Sequence, residues 1–448
     1  MATPDDDSPR QDEGDDRRAN PFAGTPLESL FGALGSGQLP DLSQLMKQMQ
    51  SLMSPSTGSV NWELATSVAR NTVAQHPDPS PTATEKSQVT DAVGLAQHWL
   101  DDVTDLPAEP GTPLAWSRAE WVAATRPSWQ QLVEPIAEHV VRAMGEAMPA
   151  EAQAMAGPLI GLLGQAGGAM FGHQVGQALG ELATEVLGST DVGFPLASGH
   201  RAALLPTNVH AFGEGLGQST SDVLLYLALR ESAHQRLFAN VPWLRAHVVG
   251  AVEEFGRGTT IDVSKIEAGL SQLDPTDPEA VRDALSGGMF EPERTPAQQA
   301  ALSRLETALA LVEGWVDEVV TQATRERMPS AAALREAVRR RRAAGGPAEQ
   351  TFASLVGLEL RPRRLRDASN MWAALRDAQG AGARDRVWRH PDIMPTTADL
   401  DDPLGFAAKD HSAAATVGGD FDDALQRLLA ADEGGAEGSG GAPPKPEA

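Results

Sequence analysis

The chain has 448 residues, 61 acidic against 36 basic side chains, a formal net charge of −25 and no cysteine. The missing thiols exclude a disulfide scaffold, a cysteine zinc site, a thiolate-held cluster and a thiol nucleophile, so any metal chemistry must use His and carboxylates. At 41% hydrophobic and 22% charged the composition is that of a globular protein, and its negative balance argues against nucleic-acid binding.

Taken in chain order, residues 1–24 are acidic and rich in Pro and Gly, which predicts a disordered tail. They lack the apolar run of a secretion signal, and the location expected by default is cytoplasmic. Residues 25–84 hold two short amphipathic segments, Leu27 to Leu34 and Leu42 to Met53, split at Gly35-Ser-Gly, and then a linker rich in Pro and Asp. From residue 85 to about 410 the dominant signal is helical. Val89, Val93, Leu95, Trp99 and Leu100, then Trp129, Leu132, Ile136 and Val140, then Leu302, Leu305, Leu309, Val312, Trp315, Val316 and Val319 recur largely at three- and four-residue steps. Strand-like alternation is hard to find. The expected fold class is therefore all-α: one multi-helix domain, closed by a second disordered Gly/Pro-rich acidic tail over 411–448.

Within that domain Ala152 to Gly180 carries no Asp, Glu, Lys or Arg, and glycines at 157, 161, 164, 168, 172, 176 and 180 fall every three or four residues. Such a stripe of small residues lets two helices approach closely. Gln165, His173, Gln174, Gln177 and Pro158 interrupt it, which predicts a tightly packed helix pair and no stable membrane insertion. Further on, Arg339 to Arg342 form a run, followed by Arg361, Arg363, Arg364 and Arg366. The expectation for 339–366 is a solvated helix face whose arginines pair with the surplus carboxylates.

The segment that carries chemistry is Arg230-Glu231-Ser232-Ala233-His234, inside a Leu- and Ala-rich helical run. It has the layout of the H-E-x-x-H motif, in which two His one helical turn apart share a zinc ion and the Glu takes a proton from the metal-bound water. Arg230 stands where the first His belongs. A guanidinium stays protonated and has no lone pair to give a cation, so Arg230 is not a ligand. What remains is Glu231 in the general-base position and His234 in the position of the second ligand.

The wider text resembles a known family. Ala228-Leu-Arg-Glu-Ser-Ala-His-Gln-Arg-Leu-Phe, Asn240-Val-Pro-Trp-Leu-Arg, Leu311-Val-Glu-Gly-Trp-Val-Asp, Arg339-Arg-Arg-Arg-Ala-Ala-Gly-Gly-Pro and Gly357-Leu-Glu-Leu-Arg-Pro-Arg-Arg are similar to segments of the actinobacterial zincin-like metallopeptidase type 2 family, over roughly residues 55–405. The resemblance implies a mostly helical zincin-like domain, a hydrolase or zinc-dependent metalloprotease activity and, in members with the full motif, bound zinc. A further ligand is then needed. Glu253 follows His234 at the spacing of the Glu-zincins, with Glu254 beside it. Glu313 is slightly preferred, because a carboxylate in the run Leu309-Ala-Leu-Val-Glu-Gly-Trp is costly unless it meets a metal or a cation. Asp317, one turn on, is an alternative ligand or an orienting group, while His210, Glu214 and His247 are weaker candidates.

Two functions of different class are drawn from these residues, beside a third, hydrolysis of a non-peptide substrate, for which the sequence gives no handle. In one, a zinc-dependent peptidase hydrolyses peptide or protein substrates, using zinc on His234 and Glu313 with Glu231 as base. In the other, Arg230 replaces the charge of a missing metal by pairing with Glu313 or Asp317, and the fold serves as a pseudo-peptidase that binds a protein partner.

Overall fold

A computed structural model of the chain describes residues 58–108, 110–146, 157–197, 199–257, 295–343 and 364–409. The tails at 1–24 and 411–448 and the amphipathic segments between Leu27 and Met53 lie outside the described residues. The helices are, in chain order, α1 (Trp62–Val73), α2 (Ala83–Asp101), α3 (Arg118–Glu146), α4 (Gly157–Glu185), α5 (Pro206–Gly213), α6 (Thr220–Asn240) and α7 (Pro242–Arg257). They continue with α8 (Pro296–Thr324), α9 (Ala331–Ala343), α10 (Leu365–Gln379), α11 (Ala381–Arg386), α12 (Thr397–Asp401) and α13 (Pro403–Ala408). Helix class dominates, as the apolar spacing predicts.

Local chemistry sets the helix starts. Asn61 accepts from the Leu64 N–H at 3.0 Å ahead of α1, and Ser219 accepts from the Asp222 N–H at 3.1 Å ahead of α6. Thr82 with Glu85 and Thr295 with Gln298 form reciprocal capping boxes at α2 and α8. Each cap satisfies backbone donors that the first turn leaves without an intrahelical partner.

Two helices make the centre. Every residue from Tyr226 to Phe238 in α6 and from Ala308 to Val320 in α8 is buried. These helices touch each other, and around them pack α2 against α6, and α7, α9 and α10 against α8. Trp315, Trp372 and Trp388 fill this core, and Trp243 donates its indole N–H to the Trp388 carbonyl at 3.0 Å. The tryptophans therefore pack the interior, as their helical spacing suggests.

A short irregular stretch breaks the helical pattern. Two-residue strands β1 (Leu114–Ala115) and β2 (Ala203–Leu204) pair in parallel, Leu114 opposite Ala203. The segment from Leu187 to Leu205 folds back on itself, with Ser189 N–H donating to Ala203 O and Leu205 N–H to Leu187 O at 3.0 Å each. It leads the chain across the buried part of α6.

The glycine stripe packs α4 on α1, which lies within the 25–84 stretch and buries Leu64, Ala65, Ala69 and Val73. A Cβ on Gly172 would come within 2.5 Å of the Asn61 carbonyl oxygen, and one on Gly180 within 2.5 Å of Thr72 Cβ, while Gly176 faces the Ala65 carbonyl oxygen just as closely. The close approach is thus a helix pair inside the protein. No described helix is long and apolar enough to cross a membrane. Gly176→Ala is expected to force α1 and α4 apart and to lower stability by about 1–3 kcal/mol, read as a reduced urea midpoint with unchanged slope.

Candidate functional site

The central spans of these two helices are buried on every side, yet they carry charge. Arg230, Glu231 and His234 on α6 and Glu313, Asp317 and Glu318 on α8 all belong to the interior. A charge removed from water must be paired and hydrogen-bonded, or it costs several kcal/mol. The pairing found here defines the site.

Glu313 is its centre and is 1% exposed. Arg230 Nη2 donates to Oε2 at 2.6 Å, and Arg342 Nη2 from α9 lies 2.7 Å from Oε1. His234 Nε2 lies 3.0 Å from the same Oε1, while its Nδ1 lies 2.8 Å from the carbonyl oxygen of Arg230. A carbonyl oxygen only accepts, so Nδ1 carries a hydrogen; the ion-paired carboxylate on the other side only accepts as well, so a proton also lies between Nε2 and Oε1. Burial alone would push the Glu313 carboxyl up, but Arg342, His234 and Arg230 outweigh it and hold it far below the usual carboxylate range. Tyr226, one turn before Arg230, is pushed up to about 12 by its burial.

Arg342 extends the network. It also approaches Asp191, which accepts from Arg341 Nη1 at 2.9 Å and from the Leu187 N–H at 3.0 Å. Asp317, one turn after Glu313, faces elsewhere: it accepts from Arg335 Nη2 at 2.5 Å, Arg339 Nη2 at 2.7 Å and Ser369 Oγ at 2.7 Å. The run Arg339 to Arg342 is therefore only partly a solvated face. Three of its four guanidiniums reach carboxylates held in or near the core, and Arg340 is left outside, near Glu336.

Glu231 points away from Glu313 into the irregular stretch. Its carboxylate accepts from Ser189 Oγ, from the Thr190 hydroxyl at 2.5 Å, and from the N–H groups of Thr190 at 3.1 Å and Ala203 at 3.3 Å. Gln235 Nε2 donates to it as well, at 3.1 Å. A Cβ on Gly188 would meet Glu231 Oε2 at 2.7 Å, so only glycine lets the carboxylate sit so near the chain. Glu231 fastens the 187–205 segment to α6.

Of the residues singled out in the sequence, the fold brings Arg230, His234 and Glu313 together. Glu253 and Glu254 lie on α7, and Glu254 pairs with Arg304. His210 and Glu214 belong to α5 and its end, and His247 stands edge-on to Trp243 with ring centroids 5.7 Å apart. Sequence reading missed Arg342, Asp191, Ser189 and Thr190. For Arg342 a signal existed, in its helical register with Arg335 and Arg339; for the other three the sequence offers none.

These residues do not fit a zinc ion as they stand. A metal would need the Nε2 of His234 and an oxygen of Glu313, and those atoms are bonded to each other. Two guanidiniums lie within hydrogen-bond distance of the same carboxylate and oppose a divalent cation. Among the described residues no group of three or more His, Asp or Glu side chains is arranged to hold a metal.

Removing the one carboxylate leaves buried cations uncompensated. Glu313→Gln is expected to lower stability at pH 7 by about 3–5 kcal/mol. Because its folded pKa is depressed, Glu313 stabilises fully above the unfolded value of about 4.3, and that contribution is lost as pH falls toward the folded value. Urea unfolding from pH 6 to 3 should therefore show the gap between parent and variant narrowing on acidification.

The comparisons with known proteins agree with this picture of the fold. No curated protein matches the chain. Its fold is similar to the crystal structure of a provisionally assigned hydrolase with a novel fold from Chloroflexus aurantiacus, at 22% identity and a TM-score of 0.55, covering 78% of this chain and 97% of that one. The family model described as zincin-like metallopeptidase matches residues 60–407, which span the described helices and the Arg230–His234 pentad. The chain belongs to the zincin-like metallopeptidase family.

Proposed function

We propose that this chain is a non-hydrolytic member of its family, a pseudo-peptidase that keeps the fold to hold a peptide or protein partner. The observation that carries this reading is the bond from Arg230 Nη2 to Glu313 Oε2 at 2.6 Å. Hydrolysis on zinc needs a metal with an open position, a carboxylate free to move a proton and a route for water. Here the guanidinium occupies the place of the first His, the best-placed carboxylate ligand is neutralised by Arg230, Arg342 and His234, and Glu231 is committed to the 187–205 segment. The positive charge that zinc would supply is already provided by side chains. Peptides and proteins are the class of partner that suits a peptidase framework.

Metal-assisted hydrolysis is the competing reading. It requires Arg230 and Arg342 to leave Glu313 together, exposing a buried carboxylate to a metal ion. Metal analysis of the purified full chain decides between the two. The parent is expected to hold no stoichiometric zinc and to show no chelator-sensitive peptidase activity. Arg230→His, and more strongly Arg230→His combined with Arg342→Ala, is expected to gain zinc. One tightly held zinc per parent chain, lost in His234→Ala, would overturn the proposal.

A further inference from the structure

One turn beyond Glu231 on α6, Gln235 lines a recess of about 190 Å³ that no residue of the Arg230–Glu313–Arg342 network touches. Gln235 is 2% exposed. Its Nε2 donates to Ser189 Oγ at 2.9 Å and to Glu231 Oε1 at 3.1 Å. A carboxylate only accepts, so the amide cannot be turned over, and Oε1 lies on the other side of the group. Among the described residues nothing donates to that buried oxygen. A buried amide oxygen left without a donor is costly, and an occupant of the recess that Gln235 lines can supply one.

The rest of the lining says what that occupant carries. Val93, Pro113 and Ala202 supply apolar wall. At the mouth His200 and Arg201 are exposed, and Arg201 has no acceptor among the described residues. His200 is held at φ 46°, a left-handed conformation that a side-chain-bearing residue adopts at a cost. Thr90, Gln97 and Arg236 also line it, Arg236 being engaged by Gln97 and Asp101, so the recess offers the Gln235 acceptor, a small apolar surface and a rim with a guanidinium unpaired among the described residues.

We infer that this recess binds the terminal residue of an N-acylated chain, with its amide N–H donating to Gln235 Oε1 and its carboxylate held by Arg201 and His200. A peptide C-terminus and a free N-acyl amino acid share that chemistry. A small side chain suits the volume, and the bidentate geometry of a guanidinium suits a carboxylate. The inference stands apart from the reading of Arg230, since it needs neither the presence nor the absence of a metal.

Gly94 provides the test. It lines the same recess from α2, and a Cβ added there would meet no heavy atom within 4 Å. Gly94→Leu therefore fills the space while replacing a poor helix residue by a good one, so the fold is kept. Calorimetric titration of the full chain with N-acetyl-alanyl-alanine should show saturable binding. Affinity should fall at least tenfold for its C-terminal amide, for the analogue N-methylated at the last peptide nitrogen, and in Arg201→Ala. In Gly94→Leu binding should vanish with no drop in melting temperature. N-acetylalanine binding as tightly as the dipeptide would assign the site to free N-acyl amino acids, and tighter dipeptide binding would assign it to chain termini. No saturable binding of the acid, equal binding of the amide or the N-methyl analogue, or undiminished binding in Gly94→Leu would overturn the inference.

Discussion

A carboxylate placed in the middle of a buried helix governs this structure. Glu313 lies in the apolar run of α8, where water cannot reach it. Its charge must be answered from neighbouring elements, and the answer comes from Arg230 and His234 on α6 and Arg342 on α9. Three separate stretches of chain are brought to one point by a single side chain. Asp317 does the same one turn later for Arg335, Arg339 and Ser369, which ties α9 and α10 to the same helix. Packing of α8 is therefore specified by charge as well as by apolar area, and the choice of Arg for nearly all the basic residues suits it, because a planar guanidinium can serve two acceptors at once.

Much of this was legible in the residues. The helical class followed from apolar spacing, and the glycine stripe correctly implied a close helix pair, because both signals are local and periodic. That Glu313 needs a cation follows from desolvation alone, and Arg230 was the natural candidate once it was recognised as unable to bind a metal. Arg342 was harder. A run of four arginines reads as a surface feature, and only the crossing of α9 over α8 decides which of them turn inward. The partners of Glu231 were illegible, because Ser189, Thr190 and Ala203 reach it through an irregular segment with no period of its own. Motif position predicts a general base there, and in the fold five donors hold its carboxylate.

Family membership and the residues of the motif bear on this chain separately. The framework matches the zincin-like model along most of its length, and the helix that would carry the metal motif keeps its place at the centre. What differs is the sign of the group at the first motif position. On the function proposed above, a fixed cation in place of a neutral ligand opposes a metal ion at that position by charge alone.

The distribution of charges around Glu313 is unequal: one acceptor group and three donors. Loss of any single donor still leaves the carboxylate with two others, whereas loss of the carboxylate strands all three. Substitution over evolutionary time should therefore be lopsided, free to explore the arginines one at a time and unable to touch the hub they share.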